Sequence, residues 1–241
     1  MLLLFALVLI LAAGLALPAV RGWVGEKTTS LGMRLVLDAD TYRRIDNVIV
    51  PSWNGTTQID HIVVSVYGIF VIETKNLKGW IFGSAEDDTW TQALFGTKYR
   101  FQNPLKQNYR HTRCLAEYLH LDHRAFHSVV WFIGDCTFKT VMPKNVLDSG
   151  LTGYIESFSA RCLTDEQVNA SERTLQALKD NPFATRSGHL RSLQERHESA
   201  TACPRCGAPL TQRMAKRGPR AGSPFLGCSR YPACRYLKNA G

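Results

Sequence analysis

Between Cys203 and Gly241 the sequence has no acidic residue, although eight cations fall there: Arg205, Arg213, Lys216, Arg217, Arg220, Arg230, Arg235 and Lys238. That absence excludes a surface balanced by its own ion pairs. The whole chain of 241 residues has 29 Lys and Arg against 20 Asp and Glu, so nearly all of the excess of nine lies in this short segment. A segment this basic faces a polyanion, because each cation set on a phosphate releases condensed counterions. The plainer alternative, a solvated basic tail, is weakened by the cysteines and aromatics interleaved with the charges.

An even complement of cysteines is also missing. The seven are Cys114, Cys136, Cys162, Cys203, Cys206, Cys228 and Cys234, which argues against a secreted disulfide framework and for a reducing compartment. The three scattered ones read as small buried hydrophobes. No internal repeat is present. The hydrophobic share of 45% supports one core of ordinary size and a small extra module.

Charge is absent from Leu2 to Val20, an apolar run interrupted by Gly14 and Pro18. Its length would just cross a hydrocarbon core of about 30 Å, so residues 1–20 read as a transmembrane anchor. A cleaved signal peptide is the alternative, favoured by Ala16-Leu17-Pro18-Ala19 and disfavoured by the missing basic region ahead of the run. Arg21, Lys27 and Arg34 follow it. The positive-inside tendency then makes this a single-pass protein of the cell inner membrane with its soluble domains in the cytoplasm. Secretion of a soluble form would expose metal-binding thiolates to an oxidising space.

Beyond Gly25, a helix is expected over Glu26 to Leu37 and a strand over Ile45 to Pro51. Gln58 to Val66 and Ile69 to Lys75 are rich in Ile, Val and Phe and read as a buried hairpin. Shorter strands follow at Gly79 to Ile81 and within Trp90 to Phe101, around the acidic loop Glu86-Asp87-Asp88. A helix is expected over Pro104 to His120, strands over Val129 to Ile133 and Gly153 to Phe158, and a helix over Glu166 to Leu178 capped by Thr164. The fold class is α/β. Residues 25–180 form one domain, 181–202 a partly helical linker and 203–238 a separate small module.

With Tyr67-Gly68 taken as a two-residue loop, Val66 faces Ile69, and counting outward sets Asp60 opposite Lys75 with Glu73 diagonal to them on the same face. Two carboxylates and one ammonium thus converge. The pair suits Mg²⁺ or Mn²⁺, with the Thr74 carbonyl and waters as further oxygens, and Lys75 would sit beside the attacking water. An ordinary salt-bridged sheet edge would use the same residues.

The stretch Gln58-Ile59-Asp60-His61, then Ile72-Glu73-Thr74-Lys75-Asn76, Gly79-Trp80, Trp90 and Asn103-Pro104-Leu105 with Gln107-Asn108 resembles the NERD (nuclease-related domain) family over residues 25–120. The resemblance implies a restriction-endonuclease-like core of the PD-(D/E)xK type. It makes Asp60 and Glu73 metal ligands, Lys75 the catalytic lysine, and Glu26 and Gln107 further members of the site. For Gln107 and Gln58, helix surface and strand cap are the plainer roles. Ile59 stands where the pattern has proline, which leaves the carboxylate chemistry intact.

Cys203-x2-Cys206 and Cys228-x5-Cys234 give two thiolate pairs spaced for one tetrahedral, structural Zn²⁺. A module of this size has little core, so metal binding would supply much of its folding free energy. With its neighbouring Gly207, Phe225, Gly227, Tyr231 and Pro232, the segment resembles the C-terminal zinc ribbons of bacterial type IA topoisomerases. That resemblance implies binding of single-stranded DNA. Phe225, Tyr231 and Tyr236 could stack on unpaired bases or pack around the metal, while Arg205, Arg213, Lys216, Arg217, Arg220, Arg230 and Arg235 would meet phosphates. No topoisomerase catalytic region can fit in the chain.

The function expected is a membrane-anchored, metal-dependent nuclease that hydrolyses DNA phosphodiester bonds, its ribbon holding single-stranded or distorted DNA. The alternative is a non-catalytic, membrane-tethered DNA-binding adaptor on a nuclease-like scaffold.

Overall fold

A computed structural model describes residues 29, 32–33, 36–52, 55–182, 185–198, 203, 208–217, 221–232 and 234–239. The apolar run 2–20, Glu26, Arg205, Cys206 and Arg220 lie outside the described residues. Among those described, no helix is long and apolar enough to cross a membrane.

The chain divides into two compact units, one of residues 1–48 with 59–179 and one of 49–58 with 180–241. The first has a mixed five-stranded sheet, β1 (Arg43–Ser52), β2 (Gly55–Ser65), β3 (Gly68–Lys75), β7 (Phe126–Phe132) and β9 (Val146–Leu147), in that order. The tips of β1 and β2 fall in the second unit. A second sheet has the order β6 (Thr97–Gln102), β5 (Thr89–Leu94), β4 (Gly79–Phe82) and β8 (Cys136–Phe138). β3 pairs antiparallel with β2 and parallel with β7. Such a strand has helices or loops on both faces, which is why Ile69 to Ile72 are all apolar and fully buried.

One face of the first sheet packs Val63, Phe70, Ile72 and Val129 against Met33, Leu37, Leu151 and Ile155. In the first helical stretch Thr29, Met33 and Leu37 are buried while Gly32 and Val36 are exposed, the spacing of an amphipathic helix. Against the other face lies α1 (Pro104–Leu119), and beside it Ile81 and Trp90 of the second sheet pack on Val130 and Phe132. The Trp90 and Phe132 rings stack at 6.2 Å.

α1 starts sharply. Asn103 caps it, its side-chain oxygen accepting from Leu105 N at 2.9 Å, and Pro104 takes the first turn where no N–H is needed. The Asn103 amide also donates to the carbonyls of Ser84, Ala85 and Asp87, which ties the acidic loop to the helix start. Further along, buried Asn108 donates to the Val71 and Val129 carbonyls at 2.8 and 2.9 Å and to Ser128 Oγ at 3.0 Å. It pins α1 in rotation over the β3–β7 seam.

Three expectations are corrected. The hairpin turn is Val66-Tyr67, with Ser65 opposite Gly68, so every pair is displaced from the register read off the sequence. Gly68 is needed for a different reason: its φ is 131°, and a Cβ there would meet His127 Nε2 at 2.5 Å and the Ala125 carbonyl at 2.9 Å. Ser65 Oγ closes the turn by accepting from Tyr67 N at 3.2 Å. Second, the expected strand at Gly153 to Phe158 is the helix α2 (Leu151–Glu156), whose Leu151 and Ile155 face the core one turn apart. Third, of the scattered cysteines only Cys114 is buried; Cys136 is half-buried and Cys162 exposed. The segment 181–202 is partly helical, as expected, through α4 (Arg186–Glu198). α3 (Asp165–Lys179) is capped as expected, with Thr164 Oγ1 accepting from Gln167 N and Thr164 N donating to Gln167 Oε1.

In the second unit the ribbon is a three-stranded sheet, β10 (Leu210–Met214), β11 (Pro224–Cys228) and β12 (Leu237–Asn239). Its core is Cys203, Ala208, Cys228 and Cys234, with Leu210 and Tyr236 packed against them.

Candidate metal centres and nucleic-acid interface

The end of β3 carries the first candidate site. Extending the observed register by one pair beyond His61 and Ile72 sets Asp60 across from Glu73. The slip leaves Asp60, Glu73 and Lys75 on one face, because it moves β2 by two residues and side chains alternate with period two. Asp60 Oδ2 accepts from Thr74 N at 2.9 Å. Lys75 Nζ donates to Glu73 Oε1 at 2.5 Å and to Gln107 Oε1 at 3.1 Å. Gln107 is therefore drawn into the cluster by α1, and all four expected residues that the structure describes converge. Glu26, the fifth, lies outside the described residues.

Glu73 is 3% exposed, and its Oε2 accepts no hydrogen bond among the described residues. Its neighbour there is His111 Nδ1 at 3.4 Å, one turn beyond Gln107 on α1 and equally buried. Sequence reasoning missed His111. The signal was its four-residue spacing from Gln107, which puts both side chains on one helix face. A buried carboxylate oxygen without a donor fits a cation, and the hard oxygens of Asp60 and Glu73 suit Mg²⁺ or Mn²⁺.

A different buried carboxylate-imidazole pair lies across the sheet. His61, fully buried, meets Asp46 at 2.8 Å through Nδ1, and Arg44 meets the other Asp46 oxygen at 3.2 Å. This pair sits on the opposite face from Asp60 and Glu73.

The second candidate site is in the ribbon. The sulfurs of Cys203, Cys228 and Cys234 all lie within 4.8 Å of one another, those of Cys203 and Cys234 at 3.8 Å. Zn–S bonds of about 2.3 Å in a tetrahedron require sulfurs about 3.8 Å apart, so the donors fit Zn²⁺. The fourth cysteine, Cys206, is outside the described residues.

Around this centre the expected DNA contacts separate by environment. Arg213 lies across β10–β11 from Phe225, and its guanidinium is 5.8 Å from the ring of Tyr231, which is 59% exposed. Lys216, Arg217 and Arg235 are exposed; Phe225 and Arg230 are half-buried. Tyr236 packs against the cysteines. Thus Arg213 and Tyr231 form one accessible cation-aromatic pair, while Tyr236 serves the metal core.

Residues 21–133 match the nuclease-related domain, and residues 200–240 match the topoisomerase DNA-binding C4 zinc finger. An uncharacterized protein of Bacillus anthracis is 38% identical over 164 residues, which cover 66% of this chain and 76% of that protein. The uncharacterized protein YrdD of Escherichia coli strain K12 is 54% identical over 37 residues, 15% of this chain and 18% of that protein. A Haemophilus influenzae protein is 53% identical over 36 residues, 15% of this chain and 17% of its own length. No solved structure matches. The chain belongs to the nuclease-related domain family and joins that domain to a topoisomerase-type C4 zinc ribbon.

Proposed function

We propose that this protein is a Mg²⁺- or Mn²⁺-dependent nuclease that hydrolyses DNA phosphodiester bonds, with the zinc ribbon binding single-stranded or distorted DNA. The observation that carries the reading is the convergence of Asp60, Glu73, Lys75 and Gln107 around a buried carboxylate oxygen that accepts no hydrogen bond among the described residues. The apolar run Leu2 to Val20 supports a single-pass anchor in the inner membrane, with the soluble domains on the cytoplasmic side.

Asp60 and Glu73 would hold the divalent cation, with the Thr74 carbonyl as a further oxygen. When bound, the cation supplies Lewis-acid polarisation of the scissile phosphate and a more acidic water. The protein's own part is orientation and charge. The Thr74 N–H fixes the Asp60 carboxylate, and Glu73 and Gln107 hold the Lys75 ammonium from two sides. So restrained, that ammonium stabilises the negative charge gathering on the attacked phosphate without reorganising during the reaction.

The test is cleavage of labelled single- and double-stranded DNA by the purified chain with Mg²⁺, Mn²⁺ or a chelator, beside Asp60→Ala and Lys75→Ala. Cutting that needs the metal and is lost by at least about a hundredfold in both variants supports the nuclease. DNA binding without cutting would instead favour the adaptor.

A further inference from the structure

The second sheet turns one face of β4, β5 and β8 to the core and the other to solvent, while the edge strand β6 is exposed on both faces, Tyr99 included. Inward go Ile81, Trp90 and Phe138. Alternation therefore sends Trp80, Phe82, Thr91, Ala93, Lys98 and Arg100 outward, in cross-strand rows Trp80–Ala93–Lys98 and Phe82–Thr91–Arg100. Trp80 is 55% exposed, a large apolar ring left in water although Trp90, ten residues on, is fully buried. Lys139 Nζ lies 4.6 Å from the Trp80 ring centre.

The charge carried by the strands themselves is of one sign, the acidic loop Glu86-Asp87-Asp88 lying beyond the end of β4 and β5. The four strands β4, β5, β6 and β8 contain no Asp or Glu. Lys98, Arg100 and Lys139 make no ion pair with any described residue. The middle strand contributes only Thr91 and Ala93 between the aromatic row and the cationic row. Strands spaced about 4.8 Å apart put those rows about 10 Å from each other, with a shallow lane of small side chains between. One wall can stack on bases, and the other can meet phosphates.

We propose that this outer face, built on Trp80, Lys98, Arg100 and Lys139, is a platform for a segment of single-stranded DNA leading to the Asp60–Glu73–Lys75 cluster. Unpaired bases offer their faces to Trp80, which a duplex does not, and the sugar-phosphate chain lies along Lys98 and Arg100. Only Asn76 to Lys78 separate β3 from β4. Trp80 is thus five residues from Lys75, at most roughly 18 Å of extended chain. A strand held there would span the short distance to the cluster. The proposal deepens the nuclease reading and rests on it for the direction in which the strand leads.

The experiment is equilibrium binding of a fluorescently labelled oligothymidylate to the full chain, from about 50 to 200 mM salt and without added divalent cation. Variants are Lys98→Glu with Arg100→Glu, and Trp80→Ala. A charge-matched control on α3, Arg173→Glu with Lys179→Glu, accompanies them. The double reversal is expected to weaken binding at least tenfold at low salt and to flatten the log–log salt dependence by about 1.4, two single-strand phosphate contacts at about 0.7 each. Trp80→Ala is expected to weaken binding about fivefold or more with the salt dependence unchanged. Parental binding in the double reversal, whose side chains are on the surface, would overturn the platform and leave binding to the ribbon. Cleavage with added Mg²⁺ separates the two readings. Platform variants that cut with parental KM would remove the platform and keep the nuclease; a chain that binds through the platform and never cuts would remove the nuclease and keep the platform.

Discussion

Glu73 holds a charge where the protein offers it one ammonium and little water. Replacing it by Gln keeps the shape and removes the demand for a cation. Glu73→Gln is expected to abolish metal-dependent cleavage with the fold retained, which the cleavage assay and circular dichroism would check. Asn108 behaves oppositely, because its amide hydrogens are shared by the Val71 and Val129 carbonyls and Ser128 Oγ. Asn108→Ala leaves those buried carbonyls without their donor. A loss of roughly 2 kcal/mol is expected from urea denaturation. His127 sets a pH response: burial pushes its pKa below the usual value, only partly offset by its hydrogen bond to the Tyr67 carbonyl. The unfolded chain then binds more protons than the folded one below about pH 6.5, so this contribution is full above that pH and is lost as pH falls through the folded pKa. Urea midpoints should drop between pH 7.5 and 5.5, and drop less in His127→Phe, which keeps the ring between Phe70 and Phe158. His123, shifted down by burial as well, leaves the remaining slope.

At the scale of elements, strands buried on both faces were the easiest to read, since Ile69 to Lys75 is a run no amphipathic helix would carry. α1 was legible through Asn103-Pro104 and the polar pair Gln107-Asn108, and α3 through Thr164. The hairpin register was not, because Gly68 suits a turn as well as it suits the close approach of His127, and only the parallel pairing of β3 with β7 separates these uses. The site survived the error: a slip of two residues preserves the face, so Asp60 met Glu73 instead of Lys75 without leaving the cluster. Gly153 to Phe158 misled through its aromatics, which belong to a short helix whose Phe158 flank packs on Phe70. His111 showed only its four-residue spacing from Gln107, and its contact with Glu73 appeared once α1 lay against β3. The capping of α3 gives this scale its prediction: Thr164→Ala should lower stability by about 1 kcal/mol, with hydrogen exchange accelerating first at the amides of residues 165–168.

For the whole molecule, the two units depend on different physics. The first is held by two apolar clusters on the faces of its sheets. The ribbon's core is three described cysteines, one alanine and two partly buried side chains. Stripping zinc with a strong chelator should therefore unfold the ribbon and remove its share of DNA binding, with the secondary structure of residues 43–179 unchanged. Circular dichroism and limited proteolysis before and after chelation would check this, with zinc restoring both. The sequence showed this division through the cysteine spacing and the acid-free segment, but not that the β1–β2 tips would group with the later part of the chain.

That grouping has a temporal side. Thr56 N meets Ser192 Oγ at 3.0 Å, and Thr56 Oγ1 meets His189 Nδ1 at 2.8 Å, across 136 and 133 residues of chain. At a synthesis rate of roughly 5–20 residues per second, the hairpin tip leaves the ribosome roughly 7–27 s before its partners on α4 exist. During that interval the nascent protein has a completed strand pair with an open end, so elongation speed through the segment after Lys179 sets how long that end stays available to other chains on the same polysome.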